Sequence, residues 1–127
     1  MTQGIRVQVT PRYLPEYSKP EEGQFVFGYH VVITNTGKEW VKLISRRWII
    51  INADGKKSEV RGSGVIGQQP ELFPGESHEY VSFCPIDTDW GTMEGAYQMR
   101  NENGEMFDAV IGRFYLAVPK DEPVEPL

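Results

Sequence analysis

The stretch Phe25-Val-Phe-Gly-Tyr-His-Val-Val-Ile-Thr-Asn35 constrains the fold more than any other part of the chain. Phe25, Phe27, Tyr29, Val31 and Ile33 recur at every second position, so an extended backbone puts all of them on one face. A helix would scatter them around its circumference. Aromatic and β-branched residues dominate the run, which suits a pleated, half-buried surface. His30 falls on the face opposite Phe27 and Tyr29. An apolar strand face needs a second layer to cover it, so this stretch implies a layered β structure.

The remaining segments agree. Ile5 to Thr10 alternates with period two, and Pro11 is expected to end that strand. Tyr13 to Gly23 holds two prolines and several charges and is read as a loop. Val41 to Asn52 alternates at first, then runs apolar from Trp48 to Ile51, as in a strand covered on both faces or bent at a bulge. Asp54-Gly55 predicts a tight hairpin turn into a returning strand over Lys57 to Arg61. Gly62 to Gly75 is irregular, Glu79 to Cys84 is a strand stopped by Pro85, and Thr88 to Gly95 is a turn-rich link. Ala96 to Arg100 and Glu105 to Ile111 flank a second turn at Asn103-Gly104, and Arg113 to Val118 closes the domain. No segment has helical period, and 13 Gly with 9 Pro fit many turns. The expectation is all-β: an antiparallel, immunoglobulin-like two-sheet sandwich of about seven to nine strands. It should form one domain over residues 1–119, followed by an acidic, disordered tail over 120–127.

Composition narrows the function classes. The net charge of −5 gives no basic footprint for nucleic acid. The N-terminus lacks the apolar run of a secretion signal, and no stretch reaches the roughly 20 apolar residues of a membrane helix. A cytoplasmic protein, not embedded in a membrane, is the expectation. Cys84 is the only cysteine, which excludes an internal disulfide and any zinc site built on several thiolates. Its apolar setting marks it as a buried packing residue rather than a nucleophile.

Arg61-Gly-Ser-Gly-Val-Ile-Gly67 spells the G-x-G-x-x-G string of dinucleotide-binding proteins. That motif needs a helix directly after it, and Gln68-Gln-Pro-Glu-Leu-Phe-Pro-Gly75 cannot form one. A weaker reading survives, in which successive backbone N–H groups of the loop cradle an anion. It would use Arg61, Gly62, Ser63, Gly64 and Gly67, with Arg46 and Arg47 in support, and would take a phosphate-containing small molecule. The simpler reading is that the glycines only turn a connection between sheets.

Other chemistry is thinner. Glu76, His78 and Glu79 are weak metal candidates without the spacing of a known site, and Asp87, Asp89 and Glu94 lack the ordered loop of a calcium hand and are read as a solvated acidic loop. Ser63 has no strand-turn-helix elbow to present it as a nucleophile. No catalytic residue and no cofactor is expected. Trp48 belongs to the core, while Trp40 and Trp90 fall at strand ends, where a ring either caps the core or anchors a partner.

Three segments together carry a family resemblance: Ile44-Ser-Arg-Arg-Trp-Ile-Ile-Ile-Asn-Ala-Asp-Gly55, Val60-Arg-Gly-Ser-Gly-Val-Ile-Gly-Gln-Gln-Pro70 and Leu72-Phe-Pro-Gly75. With Tyr29 to Asn35, Thr92-Met-Glu-Gly95, Tyr97 and Phe107 to Pro119, the chain resembles the ApaG family from about Val7 to Pro119. Arg47 departs from the family pattern, which has His or an aromatic before the tryptophan. The resemblance implies a fibronectin type III-like sandwich. It also implies a label of cobalt and magnesium efflux, which a chain without a membrane span can serve only indirectly. Related domains in F-box proteins and a polymerase-interacting protein point to protein binding. The reading is therefore a non-enzymatic module for an unknown protein partner, with self-association a second outcome and phosphate binding by the glycine loop the alternative.

Overall fold

The computed structural model describes residues 3–119, so the tail expected over 120–127 lies outside the described residues. Eight strands form two antiparallel sheets: β1 (Ile5–Tyr13), β2 (Phe25–Asn35), β3 (Val41–Asn52), β4 (Lys57–Ser63), β5 (Glu71–Leu72), β6 (Ser77–Ile86), β7 (Trp90–Asn101) and β8 (Met106–Ala117). One sheet has the order β1-β2-β6 and the other β4-β3-β7-β8, with β5 paired to β3. The expected all-β sandwich is what the chain forms. No helix among the described residues is long and apolar enough to cross a membrane.

The core lies between the sheets. Phe27, Tyr29, Val31 and Ile33 of β2 are buried, as their alternation requires, and Trp48, Tyr97, Met99 and Leu116 meet them from the other sheet. Trp48 packs edge-on against Tyr29, Tyr97 and Phe114, an arrangement that aromatic quadrupoles favour. Its indole N–H is the one buried side-chain donor among the described residues with no hydrogen-bond acceptor. Cys84 is buried as expected, and desolvation pushes its thiol up to about 11.

Several local expectations need correction. Pro11 and Pro85 do not end their strands, because each sits where the strand needs no N–H toward its neighbour. Opposite Pro85 stands Val26, whose N–H goes to Ser18 Oγ at 2.9 Å and whose carbonyl goes to Leu14 N at 2.9 Å. The expected link over Thr88 to Gly95 is mostly strand, since β7 begins at Trp90. The two closing strands are a single one, β8. Both expected hairpin turns form, at Asp54-Gly55 and Asn103-Gly104, each as a three-residue loop. Asn52 N donates to Lys56 O and Asn101 N to Glu105 O, both at 3.0 Å. Only Gly55 and Gly104 of these loops have positive φ, so each is a type I turn closed by a glycine bulge. The buried Asn52 and Asn101 side chains lock them, each Oδ1 accepting from two loop amides at 2.8–3.0 Å.

The sandwich is closed on one side and open on the other. β1 packs along β8, but β4 and β6 are both sheet edges that no other strand of the described residues joins. Cavities of about 280 and 460 Å³ lie between those two strands, the first at the glycine loop and the second beside Lys56 and Ile86.

Candidate functional site

The open side is built from an inward-facing arginine. On β3 the period of two puts Arg46 on the same face as Trp48 and Ile50, toward the other sheet. Its guanidinium lies flat over Gly62, where any Cβ would stand 2.6 Å from Nη1, so a side chain there would displace it. Nη1 donates to the carbonyls of Ser63 at 3.1 Å and Gly64 at 2.9 Å. Arg46 is half-buried, yet none of the ion pairs among the described residues includes it. Tyr29, Tyr80 and Ser82 face it across the 280 Å³ cavity from the other sheet.

The tyrosines form a neutral polar wall. Tyr80 and Tyr97 hydroxyls are 2.5 Å apart, with Tyr97 fully buried behind. Burial raises the pKa of Tyr29, Tyr80 and Tyr97, and the charge of Arg46 acts in the opposite direction on all three. They stay protonated at neutral pH and can donate hydrogen bonds. Arg46 thus supplies a fixed positive charge in a cleft lined by neutral donors.

The glycine loop itself is compact. Gly64 has φ +58, and a Cβ on it would stand 2.1 Å from Gln68 O, so only glycine fits. Val65 N donates to Gln68 O at 2.8 Å and Gln68 N to Val65 O at 3.0 Å, closing a two-residue turn at Ile66-Gly67. Both turn residues have positive φ, +47 and +71, the geometry of a mirror-image hairpin turn. Gly64 N is committed to Ile44 O at 2.8 Å, and the Ser63 hydroxyl accepts from Gln69 Nε2 at 3.3 Å. Three of the loop amides therefore have partners inside the protein.

The sequence-predicted residues separate into two groups. Arg46, Gly62, Ser63 and Gly67 meet around the 280 Å³ cavity, with Gly64 in the turn beside it. Arg47 and Arg61 point to the opposite face of the sheet, because each is one residue out of phase with Arg46 and Gly62, although all four line a further cavity of about 460 Å³ with Gln98 and Asp108. On that opposite face Arg47 and Arg61 bond to the same Glu59 oxygen, at 3.2 and 2.6 Å, and those contacts lower the Glu59 pKa. Glu76, His78 and Glu79 do not converge. Glu76 accepts from Phe73 N at 2.8 Å, His78 lies beside the Tyr80 ring, and Glu79 reaches His30 at 3.0 Å on the outer face. No metal-holding cluster occurs among the described residues. Trp40 is half-buried and Trp90 exposed at the start of β7.

Two further features escaped the sequence reading: the polar wall of Tyr29, Tyr80 and Ser82, and an exposed apolar edge on β6. The Val26–Pro85 pair exchanges no ladder bonds, so the alternation of antiparallel pairing makes Gly28–Phe83, His30–Val81 and Val32–Glu79 non-bonded pairs too. Glu79, Val81 and Phe83 therefore turn their N–H and C=O groups to the free edge. Val81 and Phe83 are 57% and 61% exposed, and Tyr17, from the excursion before β2, leans on the Phe83 ring at 6.2 Å. Alternation in Glu79-Tyr-Val-Ser-Phe-Cys84 could have shown both faces of this strand to be partly apolar.

Comparison with known proteins places the whole arrangement. The ApaG domain model matches residues 15–101. The ApaG protein of Methylobacterium nodulans is 53% identical over 118 residues, 93% of this chain and 91% of that protein. The ApaG protein of Bordetella pertussis is 52% identical over 116 residues, 91% of this chain and 88% of that protein. A crystal structure from Bordetella pertussis, solved under the name ApaA, superposes with a TM-score of 0.89, covering 91% of this chain and 94% of that one. A second X-ray structure, 41% identical, gives 0.88 and covers 98% and 94%. The chain belongs to the ApaG family.

Proposed function

We propose that this protein is a non-enzymatic binding module that takes an extended segment of a partner protein as an added strand on β6. The observation that carries the reading is the β6 edge, with free backbone groups on Glu79, Val81 and Phe83 beside exposed apolar side chains. Strand addition uses those backbone groups for affinity and the alternating side chains for choice of partner. Any link to cobalt and magnesium homeostasis runs through that partner. The test is a photo-crosslinker placed at Val81 or at Glu59 of β4 in the native host. Discrete adducts from position 81 that vanish in Phe83→Asp, with none from position 59, are expected. Equal labelling from both positions, or none from 81, would refute the reading.

A second reading, phosphate held at the glycine loop, is favoured by the uncompensated charge of Arg46. It is weakened by the internal bonds of Gly64, Val65 and Gln68 amides. Titration with inorganic phosphate, read at the Arg46 and Gly67 resonances, distinguishes it. Saturable shifts at both residues, lost in Arg46→Gln, would support it, and unmoved resonances at millimolar phosphate would end it.

A further inference from the structure

From the position of Arg46 relative to the β6 edge, we infer that the cleft carries a carboxylate subsite, so the preferred partner strand has an Asp or Glu between two apolar residues. This rests on the strand-addition reading and specifies its partner. On an antiparallel strand added to β6, residues opposite Val81 and Phe83 point to the outer face, beside Tyr17 and the Phe83 ring. The residue between them, opposite Ser82, points the other way, into the cavity that Arg46 and Tyr29 share with Ser82. An apolar side chain there would leave the guanidinium without a counter-charge in a partly desolvated space, whereas a carboxylate completes it.

The charge count favours a single carboxylate. Nη1 is already committed to two carbonyl oxygens, those of Ser63 and Gly64, which leaves Nη2 and Nε as the free fork. A planar monoanion fits that fork. One guanidinium balances one negative charge, so a dianion such as phosphate would leave a surplus charge in the partly desolvated cleft. On the β4 side Arg61 and Arg47 are held by Glu59 on the outer face, so Arg46 is the cation offered to the cleft at this level.

Two synthetic peptides on the full chain test the inference: acetyl-Lys-Thr-Val-Glu-Val-Thr-Lys-amide and its counterpart with Gln for Glu, titrated by calorimetry and followed by NMR. The Glu peptide should bind at least about tenfold more tightly, the range of a charge-assisted bond. Both peptides should shift the Val81 and Phe83 amides, and only the Glu peptide the Arg46 side chain. Arg46→Gln should erase the difference between them. Because the two peptides are compared on the unaltered chain, the result stands even if Arg46→Gln folds poorly. Equal affinities, or a Glu advantage that survives in a folded Arg46→Gln, overturn the carboxylate subsite and leave strand addition intact. Peptides that leave Val81 and Phe83 unmoved overturn both.

Discussion

Along β4 the backbone groups that turn away from β3 belong to Lys57, Glu59, Arg61 and Ser63, whereas along β6 those that turn away from β2 belong to Glu79, Val81 and Phe83. The two edges face the same cleft, yet β4 carries alternating charges at Lys57, Glu59 and Arg61, whereas β6 carries one, Glu79, followed by the exposed apolar Val81 and Phe83. Exposed edges invite pairing with another chain, and charged residues are the usual guard against it. Glu59 bridges Arg61 and Arg47, so the guard on β4 is itself held in place. On β6 the charge is confined to Glu79, which reaches His30 at 3.0 Å, while Val81 and Phe83 carry none. On the strand-addition proposal, this difference puts the incoming strand on β6 rather than on β4.

Substitutions on either edge should change how it pairs. The largest expected effect comes from Gly64→Val, which puts a β-branched residue at φ +58 with its Cβ against Gln68 O. It should destabilise the fold by about 3 kcal/mol, read from urea unfolding, and release the Arg46 clamp at the end of β4. Next, replacing Lys57, Glu59 and Arg61 together by Val should turn β4 into a second open edge. Sedimentation should then show self-association tighter than in the parent chain by on the order of tenfold. Ile66 gives a smaller effect. It is a β-branched residue at φ +47 on the rim of the cleft, and Ile66→Asn should stabilise by about 1 kcal/mol in the same unfolding assay. The double change Val81→Lys with Phe83→Lys should copy the guard onto β6. Partner-strand binding should be lost while stability stays within about 0.5 kcal/mol, as for exposed positions.

The smallest effect is that of pH on the guard. Glu59 has a folded pKa below its unfolded one, chiefly through its hydrogen bond to Arg61. Its pairing is therefore fully present above the ordinary carboxylate range and is lost as pH falls through the folded value. A carboxyl-detected NMR titration should place the Glu59 midpoint below that of free glutamate. A midpoint at or above the free value would contradict the pairing.

Much of the fold was legible in the sequence because period-two alternation is a local property. Phe27 to Ile33, Trp48 and Cys84 all fall where their spacing puts them. What failed was the reading of prolines as strand ends. Pro11 and Pro85 are tolerated because pairing alternates between bonded and non-bonded positions, which depends on the neighbouring strand. The glycine string was legible as a turn but not as a platform. Gly62 is small because Arg46 lies across it, a contact between strands that no linear spacing reveals. Arg46, Arg47 and Arg61 share one cavity of about 460 Å³ with Gly62, but adjacent residues on a strand serve opposite faces, and of the three only Arg46 lines the tyrosine-walled cavity. The open edge of β6 was invisible, since sequence does not say which strands lie at a sheet's border.

Amide hydrogen exchange on the dilute free chain tests the central claim most directly, repeated with the Val-Glu-Val peptide at saturation. The account predicts slow exchange at Tyr80, Ser82 and Cys84, which bond to β2, and fast exchange at Glu79, Val81 and Phe83 that slows when the peptide is added. Protection of Val81 and Phe83 in the free chain, or peptide protection that falls on Glu59 and Arg61 instead, would contradict it.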